Sequence, residues 1–181
     1  LKEEILNGLK SKNNKHIAKA ISIIENDTKN SNFLLEQISK KTNHSIRIGI
    51  TGPPGAGKST ITNKLIQKFR KKNKSVAALL VDPTSPFSKG ALLGDRIRIK
   101  DNYNDENIYV RSIASRGFKG GLADNIDNIA EVLEYAGFDI IIFETVGVGQ
   151  IELDVVESVD TVIVVLVPES GDDIQMMKAG L

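Results

Sequence analysis

The 181-residue sequence contains no cysteine. That excludes disulfides, zinc–thiolate centres and cysteine nucleophiles, and it fits a reducing, cytoplasmic setting. Histidine is scarce, with only His16 and His44, widely separated. Neither sign of charge dominates: 24 Lys and Arg stand against 23 Asp and Glu, a formal net charge of +1. Such a balance gives no reason to expect nucleic acid or an anionic membrane as a partner. Long apolar runs are missing too. IIIF at 140–143 and VIVVLV at 162–167 are examples of those present. They fall far short of the roughly 20 residues of a membrane helix and read as buried strands. The opening LKEEILNGLK is too polar for the apolar segment of a secretory leader. The chain starts at Leu1 rather than Met and ends within an apparent helix start, DDIQMMKAGL, so it reads as a piece of a longer protein.

The length suits one domain with an appendage and suffices for a real core. Residues 1–44 are rich in Lys and Asn and read as an N-terminal helical arm. Ile17, Ala20, Ile21 and Ile24 follow the i, i+3, i+4, i+7 spacing of one apolar stripe. Leu34, Leu35 and Ile38 suggest a second short helix after the polar break NDTKNSN. From residue 45 to 181 the pattern alternates strand and helix. IRIGIT (46–51), SVAALLVD (75–82), NIYVRSI (107–113), FDIIIFET (138–145) and VDTVIVVLV (159–167) read as strands. Helices are expected over 58–72, with Ile61, Leu65 and Phe69 on one face, and over 122–136. Apolar strands alternating with amphipathic helices predict an α/β fold, a parallel sheet with helices on both faces. Ligands in such folds bind at the carboxyl ends of the strands.

The stretch GPPGAGKST, Gly52 to Thr60, matches G-x-x-x-x-G-K-[ST] between a strand and a helix. Each position has a chemical reason. Gly52, Gly55 and Gly57, with Pro53, Pro54 and Ala56 between them, form a loop whose amides turn inward on phosphates. Lys58 supplies a fixed positive charge for the terminal phosphates, and Ser59 offers its hydroxyl to Mg2+. Thr60 lies in the first turn of a helix whose positive amino end faces the same place. A glycine-rich turn with an incidental lysine is a poor alternative in this context, so the chain is expected to bind a nucleotide.

A magnesium nucleotide also needs carboxylates at neighbouring strand ends. Asp82 in LLVDPTSP and Glu144 in IIIFETVGVGQ both occupy such ends, and Asp95 in GALLGDRIRIK lies in an expected switch loop. Magnesium takes few protein ligands and keeps several waters. Asp82, Asp95 and Glu144 therefore divide between direct ligands and groups that hold water. Acids at such places also serve as helix caps and turn formers, an alternative that stays open for Asp95. Gln150, three residues past Gly147, is either an orienter of attacking water or a helix start. Arg111 and Arg116 either contact phosphate or form surface pairs.

Together, GITGPPGAGKST, VDPTSPFSKGALLGDRIR, RSIASRGFKGGLA, ETVGVGQIELD and PESGDDIQMMKAG resemble the MeaB/ArgK (MMAA-type) GTPase family. These are chaperones of adenosylcobalamin-dependent methylmalonyl-CoA mutase. The resemblance runs over essentially the whole chain. It implies a GTPase of the signal-recognition and MinD-like class that binds GTP and GDP, with Lys58, Asp82, Asp95 and Glu144 serving catalysis. It also implies a mobile switch in PESGDDIQMMK, reporting nucleotide state to the mutase through residues such as Asp172 and Lys178. A homodimer of the full-length protein is implied as well. Lys119 stands where the family usually carries an apolar residue, and Ile151 follows Gln150 where serine is usual. The guanine-reading N-K-x-D motif does not occur in these 181 residues; in the family it follows on the next strand. Two rival functions share the phosphate loop. A small-molecule kinase would need an acceptor pocket and a basic lid. A metal-insertion GTPase would be expected to carry a Cys/His motif.

Overall fold

The computed structural model describes residues 2–26, 28–39, 44–82, 105–114, 122–146 and 151–167. Asp95, Arg116, Lys119, Gly147, Gln150, Asp172 and Lys178 lie outside them, and Asp82 is described by its backbone alone.

Three helices come first: α1 (Lys2–Lys10), α2 (Asn14–Asn26) and α3 (Thr28–Ile38). The stripe Ile17, Ala20, Ile21 and Ile24 is buried as its spacing predicts. The second helix is longer than its apolar residues suggested: α3 begins at Thr28, inside the polar stretch NDTKNSN. Ser31, Leu34 and Ile38 sit at i, i+3, i+7 and are all buried, so the inward face reaches back to a serine while Asn30 and Asn32 are exposed. The opening ten residues, read only as too polar for a leader, form α1, with Ile5 and Leu9 buried at i, i+4. Gly8 lets α1 and α2 meet: a Cβ there would come within 2.1 Å of the His16 ring.

After this segment come β1 (Ile46–Thr51), α4 (Lys58–Lys71), β2 (Val76–Asp82), β3 (Ile108–Ala114), α5 (Leu122–Tyr135), β4 (Ile140–Thr145), α6 (Ile151–Glu157) and β5 (Thr161–Val164). The five strands make one sheet in the order β3-β2-β4-β1-β5, and every pairing is parallel. β4 is thus inserted between β1 and β2, bringing residues near 144 beside the end of β1.

Strand periodicity divides the sheet into two cores. Ile141 and Phe143 of β4, with Ala77, Leu79 and Val81 of β2, pack on α5 and on α1–α3. Ile140 and Ile142, with Val76, Ala78, Ile48 and Ile50, pack under α4. Each large aliphatic side chain buried this way contributes roughly 1.5–3 kcal/mol. Parity then puts Glu144, next in the series 140, 142, on the α4 side.

Ile61, Leu65 and Phe69 of α4 pack against the second of these cores, partly buried, beside the buried line Lys58, Thr62 and Ile66 that the spacing did not single out. The loop draws Lys58 inside, and the residues one and two turns later follow it. The last strand is shorter than 159–167 and is not buried throughout: Val164 is 37% and Leu166 46% exposed. Among the described residues β5 pairs with β1 alone.

Candidate functional site

β1 ends at Thr51 and the chain turns at once into the phosphate loop. Gly52 makes that turn possible. Its φ is 138°, and a Cβ there would lie 2.1 Å from the Val165 carbonyl oxygen, so the loop is pressed against the chain following β5. The Val165 amide donates to Thr51 O at 2.8 Å and locks the same contact. Gly57 is the N-cap of α4 in the left-handed region, φ 92° and ψ 16°, where a side chain would be strained. Its carbonyl accepts from Thr60 N and Ile61 N at 3.0 and 3.1 Å. The first amides of α4 have no acceptor within the helix and form its electropositive end.

The site is an open cavity of about 300 Å³ over this end, near the lower bound of roughly 300 Å³ for small-molecule sites. Pro54, Gly55, Gly57, Lys58, Ser59 and Thr60 line one side, and Leu80, Glu144, Thr145 and Val146 the other. Lys58 is only 6% exposed. Its Nζ donates to Gly52 O at 2.6 Å and Pro53 O at 2.9 Å, with Val146 O at 3.5 Å. These carbonyl dipoles offset the cost of holding an ammonium away from water.

Glu144 crosses from β4 to α4. Its carboxylate is buried, and each oxygen has its own donor: Ser59 Oγ to Oε1 at 2.5 Å, and Thr62 Oγ1 to Oε2 at 2.6 Å. The strand end beneath is tied down by Thr145 Oγ1 on Thr51 Oγ1 at 3.2 Å. Asp82 closes β2, one residue after the Val81–Thr145 pair, so its backbone stands beside the same rim. Lys58, Ser59 and Glu144 are therefore brought together around one cavity. Thr62 was missed. Its only signal was its spacing, one turn after Lys58 and three residues after Ser59.

Oxygen donors suit a hard cation, and the Ser59–Glu144 pair at the cavity fits Mg2+. Among the described residues no group of three or more His, Cys, Asp or Glu could hold a metal by itself.

Arg111 is not at this site. It extends from β3 to α2, where Nη1 donates to Ala18 O at 2.6 Å and Nη2 to Ser22 Oγ at 3.0 Å and Glu25 Oε2 at 2.7 Å. Burial pushes the Glu25 carboxyl up despite that guanidinium. Of the two roles open to Arg111, pairing is the one observed. Among the described residues no helix is long and apolar enough to cross a membrane.

Comparison with known proteins agrees with this geometry. The family described as "Methylmalonyl Co-A mutase-associated GTPase MeaB" matches residues 17–181. A protein of Pyrococcus horikoshii, named as a candidate GTPase, is 45% identical over 179 residues, covering 99% of this chain and 56% of its own length. The mouse protein "Methylmalonic aciduria type A homolog, mitochondrial" is 39% identical over 137 residues, covering 76% of this chain and 33% of its own length. The crystal structure of a "LAO/AO transport system kinase" superposes with a TM-score of 0.72 at 27% identity, over 91% of this chain and 49% of that one. The chain thus spans about half the length of the curated relatives it matches. By the match over residues 17–181 and by these identities, the chain belongs to the MeaB family of P-loop GTPases.

Proposed function

We propose that this chain is the nucleotide-handling part of a GTPase that hydrolyses GTP to GDP and phosphate and so times a protein–protein event. The observation that carries the reading is Glu144 on Ser59: the carboxylate at a strand end reaches the hydroxyl of the phosphate loop at 2.5 Å. In hydrolysis water attacks the γ-phosphorus, the bond to the β–γ bridging oxygen breaks, and GDP leaves with inorganic phosphate. Lys58 and the loop amides oppose the charge that spreads over the phosphate oxygens. Ser59 and Glu144, with Asp82 and Asp95 as further candidates, would hold Mg2+ or its waters, and Gly147 and Gln150 belong to the proposed switch. Bound magnesium supplies neutralisation of phosphate charge and alignment of the phosphates. The choice of guanine rests on the family, since the base-reading motif is not in these residues.

The partner proposed is an adenosylcobalamin-dependent acyl-CoA mutase of the methylmalonyl-CoA type, in the cytoplasm, served by a homodimer of the full-length protein. Support for the mutase comes from the family description and from the mouse relative's name. Nucleotide state would shift the population of a switch including Asp172 and Lys178, and so gate cofactor loading and protect the mutase. The test is steady-state GTP and ATP hydrolysis by the full-length protein, with and without the mutase of its organism. GTP-selective turnover that rises with mutase is expected. Turnover indifferent to mutase, or a preference for ATP, defeats the chaperone reading. A second reading draws on the crystal structure described as a transport-system kinase. It predicts transfer of labelled γ-phosphate to a small acceptor instead of to water.

A further inference from the structure

Glu144 offers two oxygens, and the fold treats them differently. Oε1 meets Ser59, a residue of the phosphate-loop motif. Oε2 meets Thr62, which the motif does not include. Thr62 is 2% exposed, on a line of α4 that continues into fully buried Ile66. A hydroxyl in such a place is costly unless it is bonded. It has one proton and two acceptors within reach, Glu144 Oε2 at 2.6 Å and Lys58 O at 3.1 Å. The charged and nearer carboxylate is the stronger acceptor.

We propose that Thr62 is a positioning residue of the nucleotide site: by holding Oε2 it keeps Oε1 turned to Ser59 and to the magnesium that Ser59 serves. The inference rests on the reading of Glu144 as a magnesium-site carboxylate. A glutamate's terminal torsion is broad and nearly two-fold, so a carboxylate anchored at one oxygen alone rotates easily. Ser59 alone is a weaker anchor, because its hydroxyl must keep its proton on Oε1 while turning a lone pair to the magnesium. Thr62, three residues along the same helix face, is a separate anchor that does not compete for the ion. The helix after the loop thereby aims a side chain from a strand 82 residues farther along the chain.

The test uses the full chain and a fluorescent GDP analogue, comparing affinity in saturating magnesium with affinity in excess EDTA. Thr62→Val keeps the shape and removes the hydroxyl. It is expected to hold its EDTA affinity while losing about tenfold of the gain that magnesium confers, with a similar fall in GTP hydrolysis. Thr62→Ser restores both. In a Glu144→Gln background the valine adds nothing further, because the two residues act as one unit. An unchanged magnesium gain in Thr62→Val, or a loss that simply adds to that of Glu144→Gln, overturns the inference. Thr62→Ala carries the same expectation with a smaller side chain. Loss of EDTA affinity in both variants would assign Thr62 to the loop's folding instead and also overturn it. If Glu144→Gln itself keeps full gain and full rate, the reading of Glu144 has failed and the inference falls with it. If only Thr62→Val keeps them, the inference fails alone.

Discussion

The same sheet carries two polar clusters, one at each end of its strands, and the bonds described in them differ. At the amino ends opposite charges meet directly. Lys74 pairs with Asp139 at 3.0 Å, and Arg70 grips Asp105 through Nε and Nη2 at 2.7 and 3.3 Å. Asp139 also takes the Ser75 amide and hydroxyl, both at 2.8 Å. Burial would raise its carboxyl, yet these donors outweigh that and hold it at about 2, below its ordinary 3.8. At the carboxyl ends the lysine rests on carbonyl oxygens and the glutamate on hydroxyls. The bonds that Lys58 makes to carbonyl oxygens, and Glu144 to hydroxyls, can be exchanged for bonds to a ligand at small cost, since each exchange replaces one hydrogen bond by another.

Substitutions at the two ends should separate accordingly. Lys58→Ala is expected to weaken nucleotide binding by a factor of at least about 100 with the thermal midpoint almost unmoved, as titration calorimetry beside a melting curve would show. Undiminished affinity would break the assignment of this end as the binding end. Glu144→Gln should slow single-turnover GTP hydrolysis roughly 10- to 100-fold and lose about tenfold of the nucleotide affinity that magnesium confers, while affinity in EDTA is kept. A loss of affinity in EDTA as well would make the residue a support of the loop itself. Arg70→Met, at the other end, should cost about 1–2 kcal/mol in urea denaturation and leave nucleotide affinity intact. A shift in affinity there would erase the contrast. The smallest effect belongs to Asp139→Asn, below about 1 kcal/mol because the side chain is 38% exposed and screened. Its pH dependence has a definite sign. A carboxyl whose folded value is depressed contributes fully above its ordinary 3.8, and that contribution fades as pH falls towards about 2. The variant should lose stability less steeply than the parent across that window.

Much of the binding end was legible beforehand because its causes are local. The loop's glycines, Lys58 and Ser59 follow from what a backbone needs to wrap a phosphate, and strand parity sets the face of Glu144 once β4 is recognised. The amino end was not legible. Ser75, Asp139, Arg70 and Asp105 carry no motif and became a cluster only because three strands begin side by side. Arg111 shows the same limit. Its residue type allowed phosphate contact or pairing, and the packing of α2 on the sheet selected pairing.

Periodicity and spacing were enough for α2, α4 and α5, for the parallel sheet, and for the phosphate loop and the chemistry of its residues, since each depends on neighbours within a few positions. Which buried hydroxyl holds which carboxylate oxygen depends on elements 82 and 85 residues apart meeting at one rim. The close seat of Gly52 against Val165 likewise exists only once β5 lies beside β1. Such contacts follow from strand order, and strand order is set by the burial of both sheet faces together, a property that no local stretch of sequence carries.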